Sequence, residues 1–157
     1  MKLDRFDRQL LNLVQADADR TADQLSEHVA LSPSAIQRRL RRLKDDGVII
    51  REAAIVDPRH VGRPTFFVVS VTVERERPEL LARLRAWLAD QDEVQQAFYV
   101  TGEADFILVI AAPDTEAFDR LMAAMMADNP NVLRFTTNVA LNIVKRGLFV
   151  PVAVDAE

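Results

Sequence analysis

With 157 residues, 49% of them apolar, and a net charge of −4, the chain has material for one ordinary domain or two small ones. It contains no cysteine, which excludes disulfides, thiolate metal sites and a cysteine nucleophile. The opening Met1-Lys2-Leu3-Asp4-Arg5-Phe6-Asp7 is charged rather than apolar, and no stretch is long and apolar enough to span a bilayer, so a cytoplasmic protein with no membrane partner is expected.

The charge is uneven. Residues 1–63 hold 12 Lys and Arg against 10 Asp and Glu, whereas residues 64–157 hold 8 against 14. Arg38, Arg39, Arg41, Arg42 and Lys44 form a basic cluster with no acidic residue between Ser34 and Lys44. For a polyanion such as DNA this local field matters more than the net charge.

Taken in order, Phe6, Leu10, Leu13 and Val14 recur at helical spacing and predict a helix over residues 4–15, with Asp4 as its N-cap. Thr21 can cap a second helix carrying Leu25 and Val29. Ser32 can cap a third, with Pro33 at a first-turn position where its missing N–H costs nothing and Gly47 as the residue that ends it. Val48-Ile49-Ile50 and Ala53-Ala54-Ile55-Val56 read as the two strands of a wing. Asp57-Pro58 through Gly62-Arg63-Pro64 disfavours both helix and strand and reads as a linker. Strands over 65–74, 94–101, 104–111 and 132–145, the first with Phe67, Val69, Val71 and Val73 on one face, then alternate with helices over 78–89 and 114–127, and residues 148–154 could add a strand. The order βαββαβ is that of a ferredoxin-like domain. The expected architecture is therefore α+β: a winged helix-turn-helix over 1–57, a linker over 58–64, and a ferredoxin-like domain over 65–157.

On the third helix, Ile36, Leu40 and Leu43 fall on one side at about 100° per residue, and Ser34, Arg38 and Arg41 on the other, flanked by Gln37 and Arg42. An apolar stripe that docks the helix and an outward basic face suit entry into the major groove of double-stranded DNA. Ser34, Gln37 and Arg38, near the N-terminal end beside Ser32, are the candidates for base edges. Arg39, Arg41, Arg42 and Lys44 are the candidates for phosphates.

These residues resemble the Lrp/AsnC, or feast/famine, family of prokaryotic transcriptional regulators. Leu3-Asp4-Arg5-Phe6-Asp7-Arg8-Gln9-Leu10-Leu11 is similar to the family's first helix, and Leu31-Ser32-Pro33-Ser34-Ala35-Ile36-Gln37-Arg38-Arg39-Leu40-Arg41-Arg42-Leu43 to its recognition helix. Val100-Thr101-Gly102-Glu103-Ala104-Asp105-Phe106 resembles its effector loop, and Thr136-Thr137 with Val144-Lys145 its last long strand. Ala104 departs from the larger residue common there, and Ala30 from the glycine usual before Leu31. The resemblance implies a RAM- or ACT-like C-terminal domain, homodimers that assemble further, often to octamers, and an amino acid or related metabolite bound between subunits. It implies Gly102, Asp105, Thr136 and Thr137 as effector-site residues. Read without it, Gly102-Glu103 is a hairpin turn with Asp105 bonded to that turn.

Other chemistry finds little footing. His28 and His60 have no partner at metal spacing, no cofactor motif is present, and Ser32, Ser34 and Ser70 lack a base for catalysis, so neither a metal site nor an enzyme is expected. Two other readings stay open: an architectural, nucleoid-type DNA-coating protein without effector, and a ferredoxin-like enzyme or metabolite-binding module whose N-terminal helices serve assembly.

Overall fold

The computed structural model describes residues 2–154. The expected domain ends at residues 1 and 157 lie outside that range. The chain divides into two compact units: residues up to Ile55 together with those from Lys145 onward, and residues 56–144.

The first unit is built on α1 (Arg5–Ala16), α2 (Ala22–Ser26) and α3 (Pro33–Asp45). Each start is fixed by a side chain. Asp4 and Asp7 form a reciprocal capping box on α1, Thr21 and Gln24 form another on α2, and Ser32 accepts from the Ala35 amide on α3. Such caps satisfy amides that the first turn leaves unpaired, each contributing on the order of 1 kcal/mol. Leu10, Leu25, Val29 and Ile36 make the core, with Phe6, Leu13, Val14, Leu31 and Leu40 packed around it.

The second unit carries a short 3-10 turn (Pro58–His60) and then β1 (Thr65–Val73), α4 (Pro78–Ala89), β2 (Val94–Tyr99), β3 (Phe106–Ala112), α5 (Thr115–Asp128) and β4 (Val132–Val139). The sheet order is β2-β3-β1-β4, with antiparallel neighbours throughout, as a ferredoxin-like domain requires. The alternation read along β1 holds. Phe67, Val69 and Val71 are buried with Leu84, Leu88, Met122 and Met125, and Phe67 stacks on Phe118 with ring centroids 3.9 Å apart. Both helices of this unit, α4 and α5, pack on that one face of the sheet.

Three expectations fail. The wing hairpin does not form: residues 50–57 carry no strand, and the Val48 and Ile49 amides turn back to the Leu43 carbonyl at the end of α3. The last strand stops at Val139 rather than 145. Residues 148–154 add no strand; they belong to the first unit, not the second, and bond to side chains of α1.

Candidate functional site

The outward face of α3 is set by its core side. Ile36 and Leu43 are fully buried, which turns Ser34, Gln37, Arg38 and Arg41 to solvent. The helix ends at Gly47, whose φ of +70° suits glycine and closes the last turn. Ser32 spends its hydroxyl on the cap at 3.3 Å, and Ser34 lies 3.2 Å from it, oxygen to oxygen.

The five basic residues divide into two groups. Arg38 and Arg41 are exposed and, among the described residues, make no ion pair or hydrogen bond. Arg39, Arg42 and Lys44 are engaged. Asp7, on α1, is only 1% exposed, and its carboxylate accepts from Arg39 at 2.8 Å and from Arg42 at 2.7 Å. Arg39 also donates to Asp4 at 2.6 Å and lies 5.6 Å from the centre of the Phe6 ring. Lys44 pairs with Glu52 at 2.9 Å. Burial acts to raise the Asp4 carboxyl, but the Asp7 amide and the Arg39 guanidinium outweigh it and hold Asp4 below its ordinary value. Arg39 is raised in turn, first by its bond to Asp4 and then by that to Asp7. Arg39, Arg42 and Lys44, expected at phosphates, are thus already ion-paired within the chain. Arg39 and Arg42 fasten α3 to α1, and Lys44 fastens α3 to the segment after it. The signal was present in the sequence as the Asp4-x-x-Asp7 capping pattern, but not as a partner for arginines 32 and 35 residues away.

In the second unit, Gly102 and Asp105 share the β2–β3 loop. Gly102 has φ +129°, a conformation that side-chain-bearing residues rarely adopt, and open space where a Cβ would stand. The loop is closed by the Val100 amide donating to the Asp105 carbonyl at 2.9 Å. Asp105 is more than a loop residue: its Oδ2 accepts from the Val73 amide at 2.7 Å, holding the end of β1 next to the irregularity in its pairing with β4. Close by in sequence, Tyr99 donates to Glu76 at 3.0 Å and lies under the Arg85 guanidinium at 4.8 Å. Hydrogen bonding to Glu76 raises the Tyr99 hydroxyl above its ordinary value, and burial adds to this.

Thr136 and Thr137 are not brought together. Thr137 pairs across from Val69 on the helix-covered face, where its Oγ1 is buried without a partner; Thr136 pairs across from Ser70 on the open face. No single-faced site contains both. A cleft of about 300 Å³ lined by Glu74, Arg75, Leu80, Arg83 and the turn 129–131 includes none of Gly102, Asp105, Thr136 and Thr137.

The Asp105 bond has a measurable consequence. Asp105→Ala strands the Val73 amide and is expected to cost the second unit about 1–3 kcal/mol in urea unfolding. Asp105→Asn keeps an oxygen acceptor and is expected to recover most of that. Equal stability of the alanine variant and the parent would remove Asp105 from this structural role.

A helix-turn-helix with an exposed basic helix, followed along the chain by a ferredoxin-like unit, defines a class of DNA-binding regulators, and the comparisons place the chain within it. Residues 67–148 match the Lrp/AsnC ligand binding domain, and residues 3–50 match a winged helix-turn-helix DNA-binding domain. The HTH-type transcriptional regulator y4tD of Sinorhizobium fredii is 40% identical over 98% of this chain and 91% of its own length. The leucine-responsive regulatory protein of Salmonella typhimurium is 31% identical over 92% of this chain and 88% of its own. The solved structure of a transcriptional regulator from Neisseria meningitidis in complex with L-Met superimposes with a TM-score of 0.84 at 29% identity, covering 96% of this chain and 97% of that one. The chain belongs to the Lrp/AsnC family of transcriptional regulators.

Proposed function

We propose that α3 reads double-stranded DNA through Ser34, Gln37 and Arg38 at base edges and Arg41 on phosphates. Ser32 acts as the cap that presents this face. The C-terminal unit takes an amino acid or related small metabolite at the loop of Gly102 and Asp105, between subunits of a homodimer that assembles further. The protein works in the cytoplasm as a regulator and not as a catalyst. The observation that carries the DNA reading is the pair of unengaged guanidiniums, Arg38 and Arg41, on the solvent side of a capped helix whose other side is core. The effector reading is supported by the relative whose structure holds L-Met.

Two substitutions separate the roles. Arg38→Ala is expected to cost about 1–3 kcal/mol on a selected operator and little on random duplex, whereas Arg41→Ala weakens both and lowers the salt slope by about 1. Titrations at several salt concentrations measure this, and identical behaviour of the two variants would remove the division between base reading and phosphate holding. For the effector, a thermal-shift screen of the amino acids is expected to give one dose-dependent hit, reaching about 2.7 kcal/mol at a hundredfold excess over its Kd. A flat screen would count against an amino acid.

A further inference from the structure

Residues 8, 12 and 15 of α1 lie within about 60° of one another on the helical wheel, on the side away from Phe6, Leu10 and Leu13. That outer stripe is occupied. The Asn12 amide donates to the Val152 carbonyl at 2.7 Å and accepts from the Val152 amide at 3.1 Å. Gln15 does the same with Val150, donating at 3.0 Å and accepting at 2.8 Å. Arg8 donates to the Ala153 carbonyl at 3.2 Å. Each carboxamide thus exchanges two bonds with one residue's backbone, as a neighbouring strand would in an antiparallel ladder. The tail runs antiparallel to the helix, and alternate residues face it. Pro151 sits between the two bonded residues, where no N–H is called for. Its ring fixes φ and holds Val150 away from helical conformation.

We propose that the outer stripe of α1 is a docking surface for an extended strand, and that its occupant is residues 148–154 of the same chain. Docked there, the tail gives the DNA-binding unit a second chain connection to the sheet unit, after β4, besides the one after Ile55. α1 is also the helix that Arg39 and Arg42 grip, so the tail and the recognition helix share one support, on its opposite sides. It is independent of whether an effector binds.

Hydrogen exchange on the full chain tests it. The Val150 and Val152 amides are expected to exchange at least about tenfold more slowly than in Asn12→Ala/Gln15→Ala, with the α3 amides unchanged. Pro151→Gly, which leaves α1 intact, should release the same two amides. Unprotected Val150 and Val152 amides in the parent protein would overturn the proposal, as would unaltered protection in both variants. Because the chain has no cysteine, Ala16→Cys/Phe149→Cys can be bridged with a short bismaleimide. A bridged species of monomer mass supports the assigned occupant. A covalent dimer, in which copies exchange tails, or the absence of any bridge overturns it.

Discussion

Replacing both Arg39 and Arg42 with alanine is expected to destabilise the DNA-binding unit by about 3–5 kcal/mol, because it strands the Asp7 carboxylate. Asp7 is 1% exposed and its oxygens accept from those two guanidiniums and from the Asp4 amide at 3.2 Å. Its desolvation is offset only while the guanidiniums are present. A helical unit with so small a core has little to spare against the total of about 5–15 kcal/mol typical of a domain. Thermal or urea unfolding followed by helix signal should show the first unit melting early while the sheet unit keeps its own transition. Adding Asp7→Leu to the double variant removes the stranded charge and is expected to restore much of the loss. Arg38→Ala/Arg41→Ala is the control: equal in charge removed, on the same helix, it should leave unfolding within about 0.5 kcal/mol of the parent while abolishing DNA binding. The contrast matters for reading mutant data, since an Arg42 variant that fails to bind DNA loses its bond to Asp7 along with any phosphate contact. An Arg39→Ala/Arg42→Ala protein that unfolds with the parent would show that Asp7 finds water instead.

What the sequence displays and what it hides follow from the range of the interactions. The order of elements was legible because periodicity and caps are local: Ser32-Pro33, Thr21 and Asp4 each act within three residues. The buried face of β1 was legible from alternation alone. The pairing of Asp7 with Arg39 and Arg42 was not, since nothing local distinguishes an arginine that grips another helix from one that waits for a phosphate. The wing failed for a related reason. The β-propensity of Val48-Ile49-Ile50 yields a strand only against a partner, and the helix end claims the Val48 and Ile49 amides first. The tail read as a strand because Phe149, Val150 and Val152 suit extended backbone, but its partners are the side-chain amides of Asn12 and Gln15. The conflict between Thr136 and Thr137 could have been seen in advance, since adjacent residues of a strand point to opposite faces.

The open face of the sheet leads to the second large effect, Val68→Lys. Registers place Phe66, Val68 and Ser70 of β1 on the same face as Ala111, Val109 and Ile107 of β3, Gln96 and Phe98 of β2, and Asn138 and Thr136 of β4. Val68 is 38% exposed and Phe98 51%, in a band too apolar to face water comfortably and polar enough at its β4 side to end there. In the homodimer we propose, a second copy of the same face covers it through a two-fold interface, in which a residue near the axis meets its own counterpart. A lysine at position 68 then brings two like charges together in an apolar contact, at a cost of several kcal/mol, which corresponds to a dimer dissociation constant raised by about a hundredfold or more. Val68→Thr, nearly the same shape, should dissociate far less. Sedimentation equilibrium measures both, and the melting of the sheet unit, which carries β1, serves to show that the lysine acts on association rather than on folding. Operator affinity should fall with the dimer, because one α3 spans a single half-site. Unchanged association of Val68→Lys would mean that this face is covered by something other than its own copy.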